Sequence, residues 1–163
     1  MPVTSKLLCT GLSDTGRARG HNEDRIHVDP ERGIFIVADG LGGHAAGERA
    51  AETAIAMITA RLQRQTGSTE ERIREAIAVA NNEIHSLAQS NPEWEGMASV
   101  VTLAVMEDDQ VTVGHVGDSR LYLLEPGAIR KITHDHSPVG ELEDGGQLSE
   151  AAAMAHPRRN EVF

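Results

Sequence analysis

Two apolar stripes at helical spacing, separated by a single break, constrain this chain more than any other feature. Ala51, Ile55, Ile58 and Leu62 recur within residues 45–65, and Ile73, Ile77, Ala80, Ile84 and Leu87 follow in the next run. Gly67 breaks the pattern, and Ser68 followed by Glu71 is a capping-box signature for the second helix. Two such helices joined by a short polar turn must lay their apolar faces on something flat. Aromatic residues make up only 2% of the sequence, so both layers have to be built from Ala, Val, Ile, Leu and Met.

Strands supply the flat partner. Residues 25–29 and 33–38 flank a turn at Pro30-Glu31-Arg32, and residues 99–106, 111–116 and 121–124 are rich in β-branched and aliphatic side chains. Glu107-Asp108-Asp109, Gly117-Asp118 and Pro126-Gly127 mark the turns, which together predict an antiparallel meander. Residues 135–146 read as loop, and residues 149–155 as a short helix stopped before Pro157. The length of 163 residues suits one domain, 1–163, without repeat or linker.

Charge and cysteine content narrow the function classes. With 25 acidic and 15 basic residues the formal net charge is −10, which argues against nucleic acid or an anionic membrane as partner. Cys9 is the only cysteine, so neither an internal disulfide nor a cysteine-based zinc site is available. Residues 1–8 carry too short an apolar run for a signal peptide, and no stretch has the length of a membrane span. A soluble, cytoplasmic protein is expected.

Three polar constellations stand next to strand ends. Arg19-Gly20-His21-Asn22-Glu23-Asp24 precedes the first strand; alone it reads equally well as a surface ion cluster. Val37-Ala38-Asp39-Gly40-Leu41-Gly42-Gly43-His44 delivers an aspartate at a strand end and then bends through glycines into a helix. A plain strand-to-helix turn and a phosphate loop are the other readings, but the loop lacks both GxxxxGK[ST] and GxGxxG spacing. His115-Val116-Gly117-Asp118-Ser119-Arg120 sits where two strands meet, and an aspartate there is ordinarily a turn former. Taken together, Glu23, Asp24, Asp39 and Asp118 form the all-oxygen donor set that Mg²⁺ and Mn²⁺ prefer. Histidine-rich zinc chemistry is disfavoured, because His21, His27, His44, His85, His134 and His156 are scattered and no HExxH occurs. The same scarcity argues against a generic metal-dependent phosphodiesterase.

The ordered series Arg-x-x-Asn-Glu-Asp, Val-Ala-Asp-Gly-x-Gly-Gly-His-x-x-Gly-Glu, Gly-Met, Val-Gly-Asp-Ser-Arg-x-Tyr, Thr-x-Asp-His-Ser and His-Pro-x-Arg-Asn resembles the bacterial PPM (protein phosphatase 2C) serine/threonine phosphatases, from Thr10 to Phe163. The resemblance implies an α+β, four-layer αββα sandwich of two antiparallel sheets flanked by helix pairs. It implies that Asp39 bridges two Mn²⁺ or Mg²⁺ ions, with the Gly40 carbonyl on one of them and Asp24, with Glu23 nearby, holding metal directly or through water. Asp118 resembles the ligand of a third, weaker ion, and Arg19 the arginine that grips phosphate. In the family the two cations acidify a bridging water, and the resulting hydroxide attacks phosphorus in line. Phosphorylated proteins, the products of a serine/threonine kinase, are the implied partners.

Three departures qualify these expectations. Leu41 stands where eukaryotic members have a histidine, and Ala98-Ser99-Val100 replaces a frequent Gly-Thr-Thr. The variable flap, about residues 135–160, is acidic at Glu141, Glu143 and Asp144. A complete family domain continues past His-Pro-x-Arg-Asn with two further metal-binding aspartates, so the sequence is expected to be C-terminally incomplete. A non-catalytic, phosphoprotein-binding or regulatory module with the same fold is the alternative expectation.

Overall fold

In a computed structural model, residues 7–163 are described. The element order is β1 (Asp24–Asp29), β2 (Ile34–Leu41), α1 (His44–Leu62), α2 (Thr69–Ser90), a 3₁₀ turn at Pro92–Trp94, β3 (Ala98–Glu107), β4 (Gln110–Val116), β5 (Tyr122–Glu125), β6 (Ala128–Lys131), α3 (Pro138–Asp144) and α4 (Glu150–Met154). The first four strands form one antiparallel sheet in the order β1-β2-β3-β4, and β5 pairs with β6 in a second.

The two helical stripes pack as the sequence requires. Ser68 caps α2 reciprocally: its Oγ accepts from the Glu71 amide at 3.2 Å, and the Glu71 carboxylate accepts from the Ser68 amide at 2.8 Å. Ala46, Ala50, Ala51 and Ala54 turn the inner face of α1 toward the sheet with almost no exposed surface. Ile34, Ile36 and Ala38 of β2 and Val101, Leu103 and Val105 of β3 meet them, with Ile58, Leu62, Ile73 and Ile84 filling between the layers. Small side chains bring α1 close to the strands, which compensates for the lack of aromatic volume. Alternation along β2 sends Phe35, Val37 and Asp39 to the opposite face, where residues around Gly11 cover Ile26 and Val28.

Three sequence expectations need correction. The meander stops at β4: β5 begins a separate sheet because Gly117 turns the chain with φ 103 and Thr102 Oγ1 binds the Ser119 carbonyl at 2.9 Å. Residues 128–131, beyond the Pro126-Gly127 turn, form a strand the sequence did not announce, exposed along most of its length. Residues 135–146 are not all loop, since α3 occupies Pro138–Asp144. Ser137 caps it at 2.9 Å and Pro138 sits in its first turn, a start signal present in the sequence but not followed by apolar periodicity. Among the described residues no helix is long and apolar enough to cross a membrane.

A buried arginine ties this half of the molecule together. Arg72, only 3% exposed, reaches the Leu62 carbonyl at the end of α1, Thr69 Oγ1 at the start of α2, and the Glu107 carboxylate at the end of β3. Removing the carboxylate leaves a buried guanidinium without its counter-charge. Glu107→Ala should therefore cost roughly 2–3 kcal/mol in urea denaturation, short of a fully buried pair because Glu107 is partly exposed. Arg72→Met should cost less than Glu107→Ala. The reverse order would show that Arg72 acts through packing alone.

Candidate active site

The β1–β2 register sets Asp24 directly opposite Asp39, on the face turned away from the helices. Asn22 fixes the entry to β1, its Oδ1 accepting from the Asp24 amide at 3.0 Å while its Nδ2 donates to Ser13 Oγ at 2.7 Å. Arg25, on the other face, pairs with Glu48 and Glu52 of α1 and so locks the strand to the helix. At the end of β2 the chain passes within contact of α1. A Cβ on Gly40 would lie 1.8 Å from the Gly47 carbonyl oxygen, and a Cβ on Gly47 would lie 2.3 Å from Glu23 Oε2. Only a glycine pair permits this approach, which brings Glu23 to the first turns of α1, where a carboxylate is favoured by the helix dipole.

Asp118 arrives from the opposite side. It follows Gly117, which rests on Val100, the β3 residue paired with Asp39. Beyond it Arg120 turns away into its own network, with Asp135 accepting at 3.0 Å and 2.5 Å and Glu143 and Glu150 at 3.5 Å and 3.2 Å. His115 packs beneath, its Nδ1 2.8 Å from Thr102 Oγ1 and its Nε2 2.9 Å from the His134 carbonyl. Burial holds the His115 imidazole below the usual histidine range.

One cavity of about 340 Å³ gathers Arg19, Glu23, Asp39, Gly40 and Asp118, together with Leu41, Gly42, Gly43, Val100, Asn160 and Val162. Of the residues expected from sequence, Asp24 alone is off this lining, yet it touches Asp39 across the strand pair. Arg19 is exposed and forms no ion pair among the described residues, while its charge reaches Asp39. Asn160 was not assigned a role from sequence, although it ends the His-Pro-x-Arg-Asn motif; only the fold carries it back to the cavity.

The cavity concentrates negative charge. Burial, followed by the nearby charge and hydrogen bond of Asp24 and the charge of Asp118, pushes the Asp39 carboxyl up to about 6, against a smaller opposing pull from Arg19. Burial likewise raises Asp118, and Asp135 adds to it. Among the described residues no three His, Cys, Asp or Glu side chains converge tightly enough to enclose an ion by themselves. The donors present still fit a hard divalent cation, which keeps several waters and needs few protein ligands. A paired Asp24 and Asp39 with Asp118 nearby is a set whose mutual repulsion a cation would relieve.

The raised Asp39 carboxyl, owed first to burial and then to its acidic neighbours, has a measurable sign. An unfolded aspartate titrates near 4, so the folded protein holds the Asp39 proton more tightly between about 4 and 6. The stabilisation is complete below that window and is lost as pH rises through 6. At pH 7.5 without metal, the ionised Asp39 works against the fold by about 1–2 kcal/mol once its partial exposure is allowed for. Asp39→Asn should therefore stabilise the metal-free protein by that amount in urea denaturation at pH 7.5, and the gain should fade below pH 5. Added Mn²⁺ should stabilise the wild type more than the variant.

The chain resembles known proteins in both sequence and fold. The family described as Protein phosphatase 2C matches residues 16–152. The serine/threonine phosphatase stp of Listeria monocytogenes is 40% identical over 156 residues, covering 91% of this chain and 62% of that protein. The serine/threonine protein phosphatase PstP of Mycobacterium tuberculosis is 34% identical over 163 residues, covering 99% of this chain and 31% of that protein. Among solved structures, PstP/Ppp of Mycobacterium tuberculosis superposes with a TM-score of 0.82 at 32% identity, over 93% of this chain and 64% of that one. The catalytic domain of PstP in complex with two manganese ions gives a TM-score of 0.79 at 32% identity, over 87% of this chain and 61% of that one. The chain thus spans a little over three-fifths of the length of the Listeria relative. The α+β fold with two antiparallel sheets is that of these structures. With the match covering most of its length, the chain belongs to the protein phosphatase 2C family.

Proposed function

We propose that this chain carries the phosphate- and metal-gripping part of a phosphoprotein phosphatase that hydrolyses phosphoserine and phosphothreonine. The observation that supports this most is one cavity in which Arg19, without an ion pair among the described residues, lies with Glu23, Asp39 and Asp118. Carboxylates alone would repel a phosphate; with divalent cations between them, the same cavity attracts one. Asp39 and Asp24, helped by the Gly40 carbonyl and with Glu23 nearby, would hold Mn²⁺ or Mg²⁺, and Asp118 a third, weaker ion. The bound ions would supply Lewis acidity toward the phosphoryl oxygens and toward a water that attacks phosphorus.

The remaining work falls to the chain itself. Arg19 offers a planar fork to two phosphate oxygens at once, which orients the phosphoryl group and offsets its charge. The start of α1 lies against the same cavity at Gly42 and Gly43; its N-cap is a glycine with no side-chain cap, and no acidic residue occupies its first turn. A helix start of this kind favours an anion beside it, a preference that the Glu23 carboxylate at Gly47 already meets in part. Phosphorylated proteins, the products of a serine/threonine kinase in the cytoplasm, are the substrates this reading implies.

Purified protein should release phosphate from p-nitrophenyl phosphate and from a phosphothreonine peptide on addition of Mn²⁺, and should stop in EDTA. Asp39→Asn should abolish turnover, and Arg19→Ala should raise KM more than it lowers kcat. Activity that survives EDTA would sink the metal reading. Mn²⁺-dependent binding of the phosphopeptide without turnover would favour a binding module over an enzyme.

A further inference from the structure

Asp118 stands on a turn whose shape is held from outside its own strand. Gly117, just before it, has φ 103, a region that side-chain-bearing residues rarely enter, and a Cβ there would lie 2.2 Å from Val100 Cγ1. Val100 is paired with Asp39 across β2 and β3. Fixing the Gly117 peptide therefore fixes the spacing between the two aspartates.

Residue 136 does the fixing. The Gly117 N–H donates to His136 Nδ1 at 3.2 Å, and the His136 N–H donates to the Gly117 carbonyl at 2.8 Å. These bonds close a ring between the two residues, and rotation at Gly117 would break at least one of them. His136 is braced in turn: its ring lies 4.8 Å from that of His115, and the adjoining Asp135 is gripped by Arg120. Because Gly117 donates, Nδ1 acts as a pure acceptor, a role the carbonyl oxygen of an asparagine side chain can reproduce and an alanine or phenylalanine cannot.

We propose that His136 is a positioning residue that holds the Gly117 peptide so that Asp118 is presented to a divalent cation beside Asp39. His136 is not among the residues that line the cavity. The inference rests on the reading of Asp118 as a cation ligand given above, and the experiment separates the two.

Mn²⁺ binding to the whole chain, followed by the electron paramagnetic resonance of free Mn²⁺, would be compared for wild type, Asp118→Asn, His136→Ala and His136→Asn. Exchange of the Gly117 amide would be followed by NMR without metal. His136→Ala should weaken the Mn²⁺ site lost in Asp118→Asn by about 10–100-fold, as loss of a group supporting a ligand does, and should expose the Gly117 amide. His136→Asn should retain most of both. His136→Phe, which fills the space without an acceptor, replaces the alanine variant if that one does not fold. Wild-type affinity and amide protection in His136→Ala, or in His136→Phe in its place, would overturn the positioning role while leaving Asp118 as a ligand. An asparagine variant as impaired as the alanine one, with a lowered melting temperature, would overturn it in favour of simple packing. Unchanged Mn²⁺ binding in Asp118→Asn would remove the cation reading of Asp118, and the positioning role with it.

Discussion

The antiparallel register of β1 against β2 places two aspartates side by side, and the rest of the site is arranged around that pairing. Asp24 and Asp39 share a face of the sheet, half-buried, with Asp118 close enough to add to the repulsion. A fold gains nothing from like charges held this way. The sheet tolerates them because its stability is generated on its other face, where α1 and α2 cover β2 and β3 with small aliphatic side chains. The strands thus carry two opposite duties on alternate residues. Ile34, Ile36 and Ala38 hold the layers together, while Asp39, one residue on, belongs to the cavity.

Much of this was legible in the sequence, for identifiable reasons. The helices declared themselves through periodicity and the Ser68–Glu71 cap. The hairpin at Pro30-Glu31-Arg32 contains the Asp24–Asp39 pairing implicitly, since counting back from Asp29 opposite Ile34 leads to it. The motifs around Arg19, Asp39 and Asp118 identified residues that the fold brings to one cavity, with Asp24 just beside it. The failures are equally physical. β6 is short and mostly exposed, so it leaves no apolar pattern; α3 contains Gly140 and is rich in acidic residues, so only its Ser-Pro start betrays it. The departure of the chain from the main sheet at Gly117 depends on contacts with Thr102 and His136, distant in sequence, and no local signal could announce them.

Two arginines near the cavity have different fates, and the difference gives the site its polarity. Arg120 lies close enough to lower the carboxyl of Asp118 yet is saturated by Asp135, with Glu143 and Glu150 also in reach. That network holds its guanidinium far above the usual range, so it is permanently charged and permanently occupied. Asp135 returns the favour by raising Asp118, and the two influences oppose one another at that carboxyl. Among the described residues, Arg19 and Arg120 thus pull on Asp39 and Asp118 from a distance without forming an ion pair with either. Arg19, exposed and without an ion pair among the described residues, remains available in the lining of the same cavity. An internal salt bridge to Asp39 would have closed the site to both a cation and an anion. With one arginine committed and the other free, the proposed function would have a place for each ion: cations against the carboxylates, and a phosphate between those cations and Arg19.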